Sequence, residues 1–420
     1  MNNFNILDFA GLSQEKPWEL KTPTPTDLRA VIEGGQPNFE ATCKAIATFI
    51  GANIEAEPIE PEDSAIAWAS RMRIDELPTD FVLWVEPLNA ETRKDSGIDS
   101  GWILALHTLL HPGDPITHFS NLMRLLGGAK LNVHSICDLP TGRWFPKNIV
   151  ESVFVNNDVE PAEEIMWIAR LIEAPEDGEP EDRVAWISTH GLTRCGRVEL
   201  EIFGVPGDLV TESVDLIDGL AALTLENPLP HAGQPISIGS DLLVSLMESS
   251  KIIPQLQDGM PGKESHATPS VAVVSHDGGF IYPKGALHTL KHQKTTVMKT
   301  TRSTNRQSYL ARVSWNLLVK AATQIGESEH AACLVQVAWA NTEDEDAPRE
   351  YLWFRIIESS EESVVGKLAH TPALVTSLNE GYEETITADD ITDWIVMTPV
   401  GPMGPSDAEG LSSFLDQFIN

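Results

Sequence analysis

The chain has 420 residues, of which 42% are hydrophobic and 22% are charged, a composition typical of folded globular proteins. Its length exceeds that of one ordinary domain and predicts two or three. The 62 acidic residues outnumber the 29 basic ones and give a net charge of -33 at pH 7. Because this charge opposes binding to phosphate-rich surfaces, we expect neither nucleic acid nor a membrane as a partner.

The cysteines and the N-terminus indicate a cytoplasmic protein. No two cysteines form a Cys-x-x-Cys pair, so free and mostly buried thiols in a reducing compartment are expected. The first 21 residues lack a basic start followed by an apolar block, and no apolar run approaches the length of a membrane span. The scattered cysteines are Cys43, Cys137, Cys195 and Cys333.

Composition divides the chain into four segments. Residues 1–24 end in a Pro/Thr-rich stretch and are predicted to be a flexible tail. Residues 25–225 show an α/β to α+β pattern with a candidate sub-boundary near residue 130, residues 226–295 resemble a connecting helix and linker, and residues 296–420 form a C-terminal domain. This order of segments predicts a multidomain α+β protein with mixed or antiparallel sheets flanked by helices, and a small strand-rich module at the C-terminus.

In the N-terminal region, predicted strands alternate with predicted helices. Asn38 is a suitable cap for a helix ending at Ile50. Further helices are predicted over residues 102–110 and over residues 115–126, the latter stopped by Gly127 and Gly128. The predicted strands cover residues 28–33, 66–74, 80–87 and 131–136.

The middle region carries a hairpin pattern. Two apolar, Trp-bearing segments, residues 164–173 and 184–187, flank an acidic, turn-rich loop at 174–182. Residues 198–203 alternate between apolar and polar side chains, which is typical of a half-buried strand. The next predicted elements are helices over residues 209–225 and 240–252 and a strand over residues 271–275.

A basic segment, residues 278–326, contains eight Lys and Arg residues and no Asp or Glu. It is either a solvated helix face with a linker, or a patch that meets an acidic partner or the acidic loops at 174–182 and 341–349. We favour contacts within the chain, because the chain itself supplies an excess of opposite charge. A helix is predicted from Asn305, with a core side formed by Leu310, Val313, Leu317, Ala321 and Gln324 and widened by Leu318, Ala322 and Ile325. Short strands follow at 332–339, 351–358, 364–368, 385–387 and 394–397.

Three short motifs follow this helix: Tyr-Leu-Trp-Phe-Arg at 351–355, Gly-Lys-Leu at 366–368 and Ile-Thr-Asp-Trp at 391–394. With them, the segment 298–405 resembles the YegJ-like bacterial domain of unknown function, whose Ile-x-Asp-Trp signature is similar to the third motif. Residues 380–383 depart from the Gly-Asp usually found before that signature. The resemblance implies a bacterial protein with a domain boundary near residue 298, and it supplies no activity.

Residues 186–192 (Trp-Ile-Ser-Thr-His-Gly-Leu), with Gly196 and residues 198–201, are similar to uncharacterised multidomain bacterial proteins that place such a region before the C-terminal module. This resemblance also carries no activity.

The first candidate site is a group of histidines. His107 and His111 are four residues apart on a predicted helix, which would direct both side chains to one side, as in zinc hydrolases. The Glu of His-Glu-x-x-His is missing, because Thr108 follows His107. Helix-surface histidines are the simpler interpretation, and a metal-dependent hydrolase is the alternative function. The residues that would complete a metal site are His118, His134 and Cys137.

His190 is a second candidate, because it ends a predicted strand. Cys195 or Asp182 would give it a nucleophile or an orienting carboxylate. The alternative is a structural turn in which Gly191 supplies an unusual backbone angle and His190 bonds to a nearby carbonyl.

The last candidates lie at the C-terminus. Asp389, Asp390 and Asp393 would hold a divalent cation. In the alternative, which we favour, Asp389 and Asp390 shape a turn and Asp393 fixes the backbone by a side-chain hydrogen bond. Trp353 and Trp394 would be core residues, or would mark a binding face if exposed.

With no catalytic signature and no cofactor motif, the leading hypothesis is a non-catalytic binding or regulatory protein whose ligand is another protein. The binding residues we predict are Trp353, Asp393, Trp394 and His190.

Overall fold

The computed structural model describes residues 18–61, 63–156, 159–173, 184–264, 269–293, 295–325, 332–341 and 349–418. The chain divides into two compact units, residues 1–300 and residues 301–420. Three sheets, each accompanied by helices, form the architecture, and one strand pair among the described residues is parallel. The predicted α+β class is therefore confirmed. None of the described helices is long and apolar enough to cross a membrane.

The first sheet of unit 1 has seven strands in the order β2-β3-β4-β5-β1-β6-β7, all paired antiparallel. Its strands are β1 (Thr26–Glu33), β2 (Ile54–Ile59), β3 (Trp68–Ile74), β4 (Phe81–Pro87), β5 (Gly101–Thr108), β6 (Val133–Asp138) and β7 (Arg143–Pro146). Its helices are α1 (Phe39–Ile50), α2 (Ala90–Ser96), α3 (Pro115–Gly128) and α4 (Lys147–Val150), the last followed by a π-helical turn (Glu151–Val155).

The helix predicted over residues 102–110 is wrong, because this segment is strand β5. β5 lies between β1 and β4 near the middle of the sheet, and Ile103, Leu104, Ala105 and Leu106 are all buried. A strand buried on both faces has a continuous apolar run, which periodicity alone does not distinguish from a buried helix.

Helices α1 and α3 show the predicted local chemistry. The side chain of Asn38 accepts a hydrogen bond from the backbone of Ala41, and Asp114 does the same for Thr117. Gly127 does not end α3 but lies within it, where an added Cβ would clash with the buried side chain of Val150. This glycine thus allows a close approach between α3 and α4.

The second sheet of unit 1 has six strands in the order β11-β12-β13-β10-β9-β8. β10 pairs parallel with β13, and the other pairs are antiparallel, including the predicted β8–β9 hairpin. Its strands are β8 (Ile168–Glu173), β9 (Val184–His190), β10 (Glu199–Pro206), β11 (Pro235–Gly239), β12 (Leu242–Glu248) and β13 (Ser270–Ser275). Its helices are α5 (Val210–Glu226), α6 (Ser249–Ile252) and α7 (Lys284–His292).

Two predictions in this sheet are corrected. The helix predicted over residues 240–252, in the segment 226–295 that was expected to connect domains, is instead strand β12 and the single turn α6. β12 is completed by its neighbours β11 and β13, a tertiary pairing that overrides local pattern. Strand β10 is buried on both faces rather than half-buried, so its glutamates Glu199 and Glu201 lie in the interior.

Residues 18–24 were predicted to belong to a flexible tail. They are instead hydrogen-bonded to segments that flank the strands of the second sheet. Trp18 is buried and donates its indole N–H to the carbonyl of Pro230 at 2.8 Å. Leu20 and Thr24 form backbone hydrogen bonds with Gly196 and Thr193. A buried aromatic side chain thus anchors a segment whose composition suggested a linker.

Unit 2 has a six-stranded antiparallel sheet in the order β17-β16-β15-β14-β18-β19. One face carries a core in which Val335, Phe354 and Trp394 are fully buried. The strands, near the predicted positions, are β14 (Ala332–Trp339), β15 (Glu350–Ser359), β16 (Ser363–Leu368), β17 (Glu383–Thr387), β18 (Ile391–Thr398) and β19 (Gly401–Met403). The helices are α8 (Thr301–Val313), α9 (Trp315–Ile325) and α10 (Ala408–Phe418).

The single helix predicted from Asn305 is two helices, and its predicted core side is partly wrong. The break at Ser314, between α8 and α9, resets the helical phase, so that Val313 is 60% exposed and Trp315 is buried. The buried positions are Ala311, Trp315, Leu318 and Ala321.

Within the described part of the basic segment, two lysines form ion pairs with acidic residues. Lys291 lies 2.7 Å from Asp208, and Lys320 lies 2.8 Å from Asp416. The acidic loop 174–182 lies outside the described residues, and so does most of the loop 341–349.

Candidate functional site

Strand β15 presents an aromatic and cationic row to solvent. Leu352 and Phe354 are fully buried in the core of unit 2. Because successive side chains alternate across a strand, Tyr351, Trp353 and Arg355 lie on the opposite face. Tyr351 is 45% exposed, Trp353 is half-buried and Arg355 is exposed.

The neighbouring strands extend this row into a surface, which we call the Trp353 face. Residues paired directly across antiparallel strands share a face, so strand register identifies its members. One line of paired residues runs from Ile395 through Leu334 and Arg355 to Lys367. A second line joins Asp393, Gln336 and Trp353. The Trp353 face therefore combines apolar, aromatic and charged side chains on four adjacent strands.

The cations of this face are weakly neutralised. Within the described part of the chain, Arg355 forms no ion pair. Lys367 lies 3.8 Å from Glu383, and both side chains are about half exposed, so this pair contributes little to stability. A chain with a net charge of -33 thus displays, next to Trp353 on the strand, a guanidinium that has no ion pair among the described residues.

Glu350 anchors the beginning of β15. Its two carboxylate oxygens accept hydrogen bonds from the backbone N–H groups of Ala373, Leu374 and Val375 at 2.7–2.9 Å. Desolvation raises the pKa of this carboxyl, but the three backbone donors together outweigh it and lower the pKa. The carboxylate thereby holds the 373–375 loop against the strand that carries Trp353.

Asp393 and Trp394 have structural partners. The Oδ1 atom of Asp393 accepts hydrogen bonds from the side chain of Gln307 at 2.8 Å and from the backbone N–H of Trp394 at 2.7 Å. Trp394 is fully buried and donates its indole N–H to Ser314 at 3.0 Å. Trp394 is thus a core residue and forms no part of the exposed surface, whereas Asp393 lies at its margin.

Asp390 shapes a turn, as the structural interpretation predicted. Its Oδ2 atom accepts hydrogen bonds from the backbone N–H and the hydroxyl of Thr387 at 2.8 and 2.7 Å. This local bonding is typical of aspartates in turns.

His190 lies at the end of β9, with its Nε2 atom 3.5 Å from a guanidinium nitrogen of Arg170. Burial and the positive charge of Arg170 lower the pKa of the imidazole. The predicted nucleophile Cys195 is fully buried, and burial raises the pKa of its thiol to about 12. Because the thiolate is the reactive form, a Cys/His pair is not supported here. Asp182 lies outside the described residues.

The turn after His190 is built around a buried carboxylate. Gly191 has φ +124°, and an added Cβ would clash with the carbonyl of Met166. Glu199 accepts hydrogen bonds from the hydroxyl of Thr189 and from the backbone N–H groups of Gly191 and Thr193. Desolvation raises the pKa of Glu199, and these hydrogen bonds lower it by a smaller amount, so the pKa remains above its ordinary value. The Thr-His-Gly motif therefore encodes a turn at Gly191, as the structural interpretation predicted, whereas the described contact of His190 is to Arg170 rather than to a carbonyl.

The candidate metal ligands are dispersed. His107 lies on β5 rather than on a helix, with its Nδ1 atom 3.2 Å from Asp27. His134 lies 3.0 Å from Glu33. Burial raises the pKa of the Cys137 thiol to about 11.

His111 and His118 contact each other, but only the ring of His118 takes part; His111 contributes its backbone. The backbone N–H of His111 donates to Nδ1 of the buried His118 at 3.0 Å. Over the described ranges, no three His, Cys, Asp or Glu residues form a group that could hold a metal ion.

Three residues of the Trp353 face, namely Tyr351, Arg355 and Lys367, were missed as candidate binding residues. The alternation of apolar and polar or aromatic side chains at 351–355 contained the signal for the first two. Lys367 joins them only through the pairing of β15 with β16, which local sequence does not reveal.

Comparison with known families identifies two regions. Residues 172–274 match the C-terminal region of a protein family of unknown function (DUF4026). Residues 297–405 match an uncharacterized family conserved in bacteria (DUF2314). No curated protein and no solved structure matches the chain significantly. Both regions recognised from sequence motifs are thus similar to domains of unknown function, and the second match contains the whole Trp353 face.

Proposed function

We propose that this chain is a non-catalytic binding protein of the bacterial cytoplasm. Its C-terminal segment, residues 296–420, is in this proposal a YegJ-like domain that holds another protein on the Trp353 face. The observation that supports it is the row of Tyr351, Trp353 and Arg355 on one strand, in which Tyr351 and Arg355 are exposed and Trp353 is half-buried.

The chemistry of this row favours a protein partner. Trp, Tyr and Arg are the residues most enriched among those that dominate protein–protein binding energy. Their side chains offer a large contact area together with hydrogen-bond donors. A rigid sheet carries them, so little conformational entropy is lost on binding.

Charge defines the partner further. Because Arg355 has no ion pair among the described residues, a carboxylate of a partner can neutralise it without breaking an existing pair. We therefore expect a partner surface on which acidic side chains surround an apolar patch that accepts Trp353.

Site-specific photo-crosslinking tests the position of the interface. A photoreactive amino acid at position 351 is expected to capture the partner from bacterial cytosol, and the same group at Tyr309 on α8 is not. Tyr309 is a matched control, because it is 43% exposed and Tyr351 is 45% exposed.

Binding of the purified partner then tests the energetics by isothermal titration calorimetry. Trp353→Ala and Arg355→Glu are each expected to weaken binding at least about tenfold, and Tyr309→Ala to leave it unchanged. Equal affinities for Trp353→Ala and the unaltered chain would refute the proposed function.

A further inference from the structure

A cavity of about 380 Å³ lies in unit 1, between the end of α3, the segment that leads to β6, and the π-helical turn after α4. Its volume is within the range of small-molecule sites. Leu131, Val150 and Val155 give it an apolar part, and Lys130, Lys147 and Asn156 give it a polar part.

The backbone around this cavity has unusual conformations. Lys130 and Asn132 are not glycines, yet they have φ +54° and +57°. Glu151–Val155 is a π-helical turn. Both features are uncommon and occur preferentially at functional sites, since they cost free energy that regular structure avoids.

The two lysines at the cavity have few partners among the described residues, so their ammonium groups can still donate hydrogen bonds to a ligand. Among the described residues, the side chain of Lys130 forms no hydrogen bond or ion pair. Lys147 has one ionic contact, to Glu151 at 4.0 Å, and the side chains of both are about half exposed. Two lysines and one glutamate therefore line this cavity, in a chain whose net charge is -33.

From this combination we propose that the cavity binds a small organic carboxylate with an aliphatic tail. The carboxylate would accept hydrogen bonds from the ammonium groups of Lys130 and Lys147. The tail would lie over Leu131 and Val155, the half-buried apolar side chains of the cavity, where it leaves water. A singly charged carboxylate is repelled less by Glu151, which also lines the cavity, than a phosphate dianion would be.

Saturation-transfer NMR on the full-length protein with hexanoate as the probe tests this site. Hexanoate is expected to bind, while acetate and hexanol bind at least about tenfold more weakly, because each lacks one of the two recognised parts. Inorganic phosphate is expected not to displace hexanoate. Displacement by phosphate, or equal binding of acetate and hexanoate, would overturn the proposal.

Substitutions then locate the binding. Lys130→Gln and Lys147→Gln are each expected to weaken hexanoate binding about tenfold, because each removes a charge-assisted hydrogen bond. Lys94→Gln, at an exposed position on α2 away from the cavity, is the matched control and should have no effect. Hexanoate binding that survives both cavity substitutions unchanged would place the probe elsewhere and overturn the assignment.

Discussion

Arg194 and Asp138 form a fully buried ion pair that joins the two sheets of unit 1. The Nη1 atom of Arg194 lies 2.6 Å from Oδ1 of Asp138, and neither side chain is exposed to solvent. Arg194 follows β9 in the second sheet, and Asp138 ends β6 in the first. Arg194 also donates to the carbonyl of Met166, and Thr141 donates to Asp138, so the buried charges have several partners.

Breaking this pair should destabilise unit 1 strongly. Arg194→Met would leave the carboxylate of Asp138 buried without its cation, and we expect a loss of about 3–5 kcal/mol in the free energy of unfolding. Urea denaturation followed by circular dichroism measures this loss. Arg170→Met, at an exposed position, should cost no more than about 0.5 kcal/mol. A similar cost for both variants would contradict a special role for the buried pair.

His118 should make the stability of unit 1 depend on pH. Burial, with a smaller effect of His111, lowers the pKa of His118 from its ordinary value of 6.5 to about 4. The unfolded chain therefore binds a proton at a higher pH than the folded chain. Protonation of His118 in the unfolded chain therefore lowers the free energy of unfolding as the solution becomes acidic. The full stability is present above about pH 6.5, and roughly 3 kcal/mol of it is lost as pH falls through about 4.

The measurement is NMR titration of the His118 ring, together with unfolding free energies between these two pH values. His118→Asn should remove this part of the pH dependence, because an amide does not titrate. An imidazole that titrates near 6.5 in the folded protein would rule out the prediction.

Glu350 should stabilise unit 2 above acidic pH. Glu350→Gln keeps one acceptor but removes the charge that receives three backbone N–H bonds, and we expect a loss of about 1 kcal/mol after allowance for solvent exposure. Since the folded pKa is lowered, the contribution is present above the ordinary carboxyl pKa and disappears as pH falls through the lowered value.

Thermal unfolding of unit 2 at neutral and acidic pH tests this prediction. Glu383→Gln is a suitable control, because its carboxylate has one weak, exposed contact. If the Glu350→Gln variant unfolds at the same temperature as this control at neutral pH, the three hydrogen bonds to Glu350 do not stabilise unit 2 as predicted.

Two glycines on helices should respond oppositely to substitution by alanine. At Gly127 the added methyl group would clash with the buried Val150, so we expect a loss of about 1–3 kcal/mol. At Gly285 on α7 no heavy atom lies within 4 Å of the added Cβ, so alanine should stabilise by about 0.5–1 kcal/mol. Chemical denaturation of both variants measures the change in the free energy of unfolding, which should be negative for Gly127→Ala and positive for Gly285→Ala. An equal loss of stability in both variants would show that the contact with Val150 does not cause the loss at Gly127.

Much of the secondary structure and part of the candidate site were predictable. The alternation at Tyr351, Trp353 and Arg355 and the Asn38 and Asp114 caps are local signals, and each has its structural counterpart. The misassigned segments, residues 102–110 and 240–252, became strands because neighbouring strands complete their hydrogen bonds.

The sequence by itself determined the α+β composition, the turn at Gly191 and the apolar pattern of the C-terminal strands, because each depends on backbone preferences over a few residues. Tertiary structure alone decided which face of β15 meets solvent beside Lys367, and that Trp394 is buried while Trp353 is exposed in part. It also brought Lys130 and Lys147 to one cavity and Arg194 to Asp138. These arrangements join residues from separate elements, and their proximity depends on strand register and packing, which no short stretch of sequence encodes.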